Sequence, residues 1–324
     1  MKVSVCIITY NQVNFIGEAI ESVVSQKTNF PFEILIGDDF SKDGTRELIT
    51  DYANRYPDLI RPVLHPHNMG QNGLFNTLAT YRLAKGEFIA AMDGDDYWTD
   101  PLKLQKQVDF LQAHPDFSTC FHNALITWED GSPSQELNPP DQKAVCTIED
   151  LIGEDEIWFM ATSSVMFRNV IKEYPDWFKK SMSGDIPRYV LLAKYGKIGY
   201  LPDVMSVYRK NRNGSSFADR EDDARFLKNR IEMYKGINQE LNYQFDPLLK
   251  KNIARYYKKM LHSQQYRNSY YPKNLMALKY LRLGSPGRQE TREILRDHVV
   301  PPVLGRVYSA LAIGIYRLRK SLNP

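Results

Sequence analysis

Between residues 3 and 126 the chain alternates between short runs rich in β-branched residues and stretches with helical spacing. The run VSVCIITY (3–10) is followed by FIGEAIESVVSQ (15–26), in which Ile16, Ile20, Val23 and Val24 share one helix side. FEILIGDD (32–39) reads as a second strand, and SKDGTRELITDYANRYP (41–57) as a turn and a helix that stops before Pro57. LIRPVLH (59–65) is strand-like, but Pro62 makes it an edge strand or an irregular one. LFNTLATYRLAKG (74–86) reads as a helix closed by Gly86, and EFIAAMD (87–93) as a strand buried on both faces. Asp100-Pro101 pairs an N-cap with a proline at the first helical position and opens a helix to about Ala113; FSTCFHNALI (117–126) is the next strand. This order predicts an α/β fold with a mostly parallel central sheet and helices on both faces.

In such sheets ligands bind beyond the carboxyl ends of the strands. Polar clusters fall at those ends: Thr9-Tyr10-Asn11, Asp38-Asp39, His65-Pro66-His67-Asn68 and Asp93-Gly94-Asp95-Asp96. The last puts three carboxylates within four positions directly after an apolar strand, where desolvation and mutual repulsion are both costly. Three readings compete: a solvated acidic loop, a calcium loop, and a Mn²⁺ or Mg²⁺ site that holds phosphates. Neither DGDDYW nor DDFSKDG has the alternating ligands and distal Glu of an EF-hand. Hard divalent cations take one or two carboxylates together with phosphate oxygens, which suits the third reading. A G-x-x-x-x-G-K-[ST] loop and a G-x-G-x-x-G turn after the first strand are both absent, so metal and side chains must hold any nucleotide phosphates. His65 and His67 flank a proline without a third ligand and read as loop residues.

VSVCIITYNQ, FEILIGDDFSKDGT, GEFIAAMDGDDYW and SGD before a helix occur in that order. Together they resemble the GT-A fold glycosyltransferases of family 2 over about residues 1 to 215. The resemblance implies a nucleotide-diphospho-sugar transferase-like fold. It implies that Thr9 and Tyr10 border the nucleotide base, that Asp39 hydrogen-bonds it, and that Asp93-Gly94-Asp95 is the D-x-D motif. Asp93 and Asp95 then serve the nucleotide sugar, and Asp95 and Asp96 hold Mn²⁺ or Mg²⁺, with the three acids' division between ribose and ion left open. Gly94 leaves room for the donor to come close. Asp185 becomes the catalytic base, with N-capping of its helix as the alternative. The family often carries Glu-Asp here, whereas this chain has Gly184-Asp185. Arg209 or Arg212, in YRKNRNGSSF (208–217), adds positive charge near the diphosphate, or lies in a basic surface turn. Trp158, Ser163 and Ser164 line the acceptor side, or belong to an ordinary buried strand. Asp38, Asp43 and Thr45 fit an Asx-type turn.

The remainder divides by charge. Residues 1–206 carry net −11 and residues 207–324 carry +14. Expected boundaries are a catalytic domain over 1–218, with a nucleotide-sugar half (1–115) and an acceptor half (116–218), then a basic helical region over 219–324. In that catalytic domain 131–143 reads as a surface loop, 185–196 as a helix and 197–209 as a strand pair or extended segment. As a helix, 303–320 groups Leu304, Val307, Leu311, Ile315 and Leu318 within about 80°, opposite Arg306, Arg317 and Lys320. It reads as an interfacial helix on an anionic membrane, or as one packed on the protein. Nucleic acid is disfavoured because the acidic first region repels a phosphate chain. The start resembles a strand rather than a signal peptide, and no apolar run reaches the roughly 18 residues that span a bilayer. Three scattered cysteines (Cys6, Cys120, Cys146) read as buried thiols of a cytoplasmic protein, peripheral to the plasma membrane at most. The expectation is an inverting glycosyltransferase using a nucleotide sugar, a UDP-sugar foremost. Its acceptor is a glycan or lipid-linked saccharide in cell-surface polysaccharide synthesis. The alternatives are a non-catalytic nucleotide-sugar-binding subunit and a sugar nucleotidyltransferase.

Overall fold

A computed structural model describes residues 1–153, 159–210, 223–266 and 269–301. The chain forms two compact units, Met1–Ser216 and Phe217–Pro324.

The first unit opens with β1 (Val3–Thr9), α1 (Val13–Val24), β2 (Phe32–Asp38), α2 (Thr45–Arg55), β3 (Ile60–Leu64) and α3 (Leu74–Arg82). Next come β4 (Phe88–Asp93), β5 (Tyr97–Trp98), α4 (Lys103–Ala113), β6 (Phe117–Trp128), β7 (Gln135–Glu136), β8 (Val145–Cys146) and α5 (Ile148–Ile152). The unit continues through β9 (Met166–Arg168), α6 (Asp176–Lys179), α7 (Asp185–Ala193) and β10 (Lys197–Lys210). Among the described residues these strands form one sheet in the order β3-β2-β1-β4-β9-β6-β10-β5, with β7 beside β6 and β8 beside β10.

The half from β3 to β4 is parallel, as the strand–helix alternation requires. Pro62 sits on β3, the edge strand, where its missing N–H costs no ladder bond. In the other half β9 runs antiparallel to both β4 and β6, while β6 and β10 are parallel. The core lies where α1 and α4 cover the parallel strands: Val5, Ile7, Ile16, Ile20, Ile34, Met92, Leu104 and Val108 are all 0% exposed. Each such aliphatic side chain contributes about 1.5–3 kcal/mol relative to exposure.

Three local readings change. Helix α3 ends at Arg82 instead of Gly86. A Cβ at Gly86 would lie 2.4 Å from the Ser4 nitrogen and 2.6 Å from the Phe88 oxygen, so this glycine serves the close approach of β1 and β4. Helix α4 starts at Lys103, because Asp100 first forms a turn in which its Oδ1 accepts from the Leu102 N–H at 2.8 Å. The polar 131–143 loop contains β7, and residues 197–210 form one extended strand with register shifts, the second of the two expected forms.

The second unit contains α8 (Ala224–Glu240), capped by Asp223 through a 2.8 Å bond from the Arg225 N–H, and α9 (Asp246–His262), with Pro247 in its first turn. It continues with α10 (Tyr270–Gly284) and α11 (Arg288–Ile294). Tyr234 and Tyr256 stack between α8 and α9, with centroids 5.8 Å apart. Among the described residues no helix is long and apolar enough to cross a membrane. The 303–320 segment lies outside them.

Candidate active site

Register brings the predicted clusters to one edge. Thr9 at the end of β1 pairs with Asp38 of β2, and Ile8 pairs with Asp93 of β4. The chains leaving β2 and β4 stay on β1: the Asp39 N–H donates to the Thr9 carbonyl at 3.0 Å, and the Gly94 N–H to the Ile8 carbonyl at 2.8 Å. Thr9 is buried and its hydroxyl donates to Gln12 Oε1 at 2.8 Å, while Tyr10 beside it is exposed. A Cβ at Gly94 would lie 2.7 Å from Gln12 Oε1 and 2.8 Å from Thr9 Cβ. The immediate reason for glycine at 94 is thus the close approach of the acidic loop to the end of β1.

The two acids of β2 separate in role. Asp38 is fully buried; its Oδ2 accepts from the Phe40 and Ser41 N–H groups, each at 3.1 Å, and lies 3.5 Å from Arg46 Nε. Asp39 Oδ1 accepts from the Met69 N–H at 2.6 Å, and the Asn68 amide donates to the Asp39 carbonyl at 3.1 Å. The β3–α3 loop therefore closes over Asp39. Asp43 forms the expected Asx turn, accepting from the Thr45 N–H (3.1 Å) and hydroxyl (2.6 Å), and its other oxygen accepts from the Val13 N–H at the start of α1 (3.0 Å). His65 is buried with Nε2 3.0 Å from Asn76 Oδ1, and His67 is exposed.

The acidic loop is held from β10. The Arg209 N–H donates to Asp96 Oδ1 at 3.0 Å, and Arg209 Nη1 donates to the Asp95 carbonyl at 2.9 Å. The guanidinium also bonds Glu18 of α1 and lies 4.5 Å from the Tyr97 ring centroid. Asp96 is fully buried, and among the described residues its Oδ2 has no hydrogen-bond partner. Burial, then the charges of Asp95 and Asp93, push the Asp96 carboxyl well above the usual range. Asp93 is pushed up to about 7 by burial, then by the charges of Asp95 and Asp185. Asp185 thus joins this field from far along the chain. It opens α7 at the position after Gly184, and its Oδ1 accepts from Arg188 Nη2 at 2.7 Å. Arg188 and Tyr208 were not singled out from sequence. The Tyr208 hydroxyl is pushed up by burial and then by Asp96, Asp93, Asp95 and Asp185.

Ser163 and Ser164 lie in a short 3₁₀ turn (Thr162–Ser164) and are fully buried. Their hydroxyls donate inward, to Ser206 Oγ at 3.2 Å and the Ala161 carbonyl at 2.8 Å. The Trp98 indole N–H and the Gln107 amide donate to their carbonyls, at 2.9 and 2.8 Å. Trp158 and Arg212 lie outside the described residues.

Among the described residues no three His, Cys, Asp or Glu side chains form a ready metal cage. What the edge does offer suits a divalent cation that brings its own phosphate oxygens: mutually repelling carboxylates and a buried carboxylate oxygen, Asp96 Oδ2, without a donor.

Comparison with known proteins agrees with this architecture. The family model described as "Glycosyl transferase family 2" matches residues 4–174. The chain is 39% identical over 220 residues to the uncharacterized protein Rv1520 of Mycobacterium tuberculosis, covering 67% of this chain and 62% of that protein. It is 32% identical over 213 residues to the uncharacterized glycosyltransferase alr2836 of Nostoc, covering 64% and 65%. The chain therefore spans just under two thirds of the length of these relatives. Among solved structures, Staphylococcus aureus TarS 1-349 in complex with UDP-GlcNAc superposes with a TM-score of 0.57 at 20% identity, over 93% of this chain and 82% of that one. The sheet order, the level strand ends and these matches lead to one assignment: the chain belongs to glycosyl transferase family 2.

Proposed function

We propose that the chain is an inverting, metal-dependent glycosyltransferase that moves a sugar from a UDP-sugar to a hydroxyl of a glycan or lipid-linked saccharide in cell-surface polysaccharide synthesis. The observation that carries this reading is the shared electrostatic field of Asp93, Asp95, Asp96 and Asp185 at the carboxyl edge of one sheet. Gathering these acids carries a repulsion and a desolvation cost that a bound cation would relieve.

In this reading Thr9 and Tyr10 border the base, and the exposed Tyr10 ring stacks on it. Asp39 accepts the imide N–H through the carboxylate oxygen not bonded to Met69. Asp93 and Asp95 bind the nucleotide sugar, with Arg209 pinning their loop and bringing positive charge beside it. Mn²⁺ or Mg²⁺, held by Asp95 and Asp96 together with donor phosphate oxygens, would offset the charge of the departing nucleoside diphosphate. Asp185 takes the proton of the acceptor hydroxyl. The freed oxygen pair forms the new bond to the anomeric carbon from the face opposite the diphosphate, and the old carbon–oxygen bond breaks towards UDP. Such a base contributes about 10²–10⁴-fold. Ser163 and Ser164 belong to the acceptor side, the role that the family resemblance also gives Trp158. TarS, which shares the fold, was solved with UDP-GlcNAc, and this supports a UDP-sugar donor. The net positive charge of residues 207–324 supports a location at the cytoplasmic face of an anionic membrane, where a lipid-linked acceptor would be found.

UDP release, followed with and without saccharide acceptors across a panel of nucleotide sugars, tests the proposal. Acceptor-stimulated release from one donor supports it. The absence of release from every donor, with Mn²⁺ present, contradicts it.

A further inference from the structure

Helix α10 shows solvent an apolar stripe: Tyr271 is 85% exposed, Leu275 55% and Leu278 46%. At about 100° per residue these three, with exposed Lys279 and Arg282, fall within an arc of about 100°. No acid lies on that arc. The opposite side of the helix carries its buried residues, Met276, Ala277 and Tyr280. An exposed apolar stripe rimmed by polar groups is the kind of surface that contacts a partner or a membrane.

The charge around the stripe restricts what can cover it. From Pro247 to Gln289, which includes most of α9 and all of α10, there are ten Lys or Arg residues and no Asp or Glu. A second copy docked symmetrically through this stripe would bring residues 247–289, which hold no acid, against themselves. Residues 302–324 would bring Arg306, Arg317, Arg319 and Lys320, again with no acid. The complementary occupant is anionic and offers an apolar interior beneath its charge. A nucleic acid has the charge but no use for Tyr271, Leu275 and Leu278, whereas an anionic lipid bilayer has both.

We propose that the outer face of α10 is an interfacial membrane-docking surface, with Tyr271, Leu275 and Leu278 entering the headgroup–acyl boundary and Lys279 and Arg282 contacting anionic headgroups. This deepens the membrane location proposed above by naming the surface, and it does not depend on the transfer chemistry.

The test is flotation of the full-length chain with phosphatidylcholine vesicles and with vesicles containing phosphatidylglycerol, at low and high salt. Binding is expected on the anionic vesicles, weakened by salt, and weaker by about tenfold in a Tyr271→Ser, Leu275→Ser, Leu278→Ser triple variant. Circular dichroism and cation-dependent UDP uptake, measured on the same samples, are expected to be unchanged by the triple variant. This keeps failure of the docking surface distinct from failure of the donor site. Equal vesicle binding by the triple variant would move the contact elsewhere and overturn the proposal. So would no binding to anionic vesicles, or light scattering showing a dimer that the triple variant dissolves.

Discussion

Arg188 Nη2 lies 2.7 Å from Asp185 Oδ1, and the two ends of this pair meet different surroundings: the arginine side chain is 4% exposed and the aspartate 39%. The guanidinium sits 5.5 Å from the Tyr81 ring centroid and 5.3 Å from that of Tyr189. A buried cation thus fixes one oxygen of a carboxylate whose other side reaches solvent. An acceptor hydroxyl would meet a carboxylate already held in place, which is the arrangement a general base needs.

Arg188 is therefore expected to act as a positioning residue. Arg188→Lys keeps the charge but loses the planar fork, and kcat should fall about tenfold with little change in donor KM. Arg188→Met leaves Asp185 without its cation and should lower stability by about 2–3 kcal/mol, less than for a wholly buried pair because Asp185 is partly solvated. Steady-state kinetics and urea unfolding read the two effects. Unchanged kcat in the lysine variant would show that the ion pair only stabilises the fold.

Asp185→Asn keeps the size of the side chain and its carbonyl acceptor for Arg188 but removes the carboxylate proposed as the base. Transfer should fall by about 10²–10⁴-fold while UDP affinity stays nearly constant. Full turnover in this variant would exclude Asp185 as the base.

Asp93 gives a pH signature. Its carboxyl is pushed up to about 7 in the folded chain, against an ordinary 3.8. Between those values the native state binds more protons than the unfolded state, so this group's contribution to stability declines as pH rises from about 4 to about 7. The metal-free protein should show that decline in melting temperature, and Asp93→Asn should flatten it. A cation favours the ionised form, so the affinity for Mn²⁺ with UDP should rise over the same interval. Identical pH profiles for wild type and Asp93→Asn would remove Asp93 from the account.

How much of this was legible in the sequence depends on the range of each interaction. The parallel half of the sheet and the Asx turn at Asp43 are written in neighbouring residues and were readable, while Pro62 left its strand as either an edge or an irregular one. The gathering of Asp93 and Asp185 at one site was implied only by family resemblance, since no local pattern joins positions so far apart. Arg188 escaped notice because an arginine within a helix usually marks a solvated face. Lys103 is a parallel case: fully buried, 3.9 Å from the Trp98 ring centroid and bonded to Gln107 at 2.7 Å, it is pushed down to about 7 by burial. The antiparallel insertion of β9 was hidden because three residues within an apolar run carry no directional signal.

Gly94 tests the packing account of the acidic loop. In Gly94→Ala the new methyl meets Gln12 Oε1, which can swing away, and Thr9, which is fixed on β1. A stability loss of about 1–3 kcal/mol is expected, with weaker UDP binding, and adding Gln12→Ala should restore only part of each. A Gly94→Ala protein as stable and as tight-binding as wild type would show that the loop does not depend on this approach.

Titration calorimetry with UDP, in EDTA and in Mn²⁺ or Mg²⁺, tests the central claim most directly. The acidic edge should take up nucleotide and cation jointly: UDP binds in the presence of the metal, weakly or not at all in EDTA, and Asp95→Ala or Asp96→Ala abolishes the difference. Equal UDP binding in EDTA and in metal, or no uptake in either, would contradict a cation-bridged donor site.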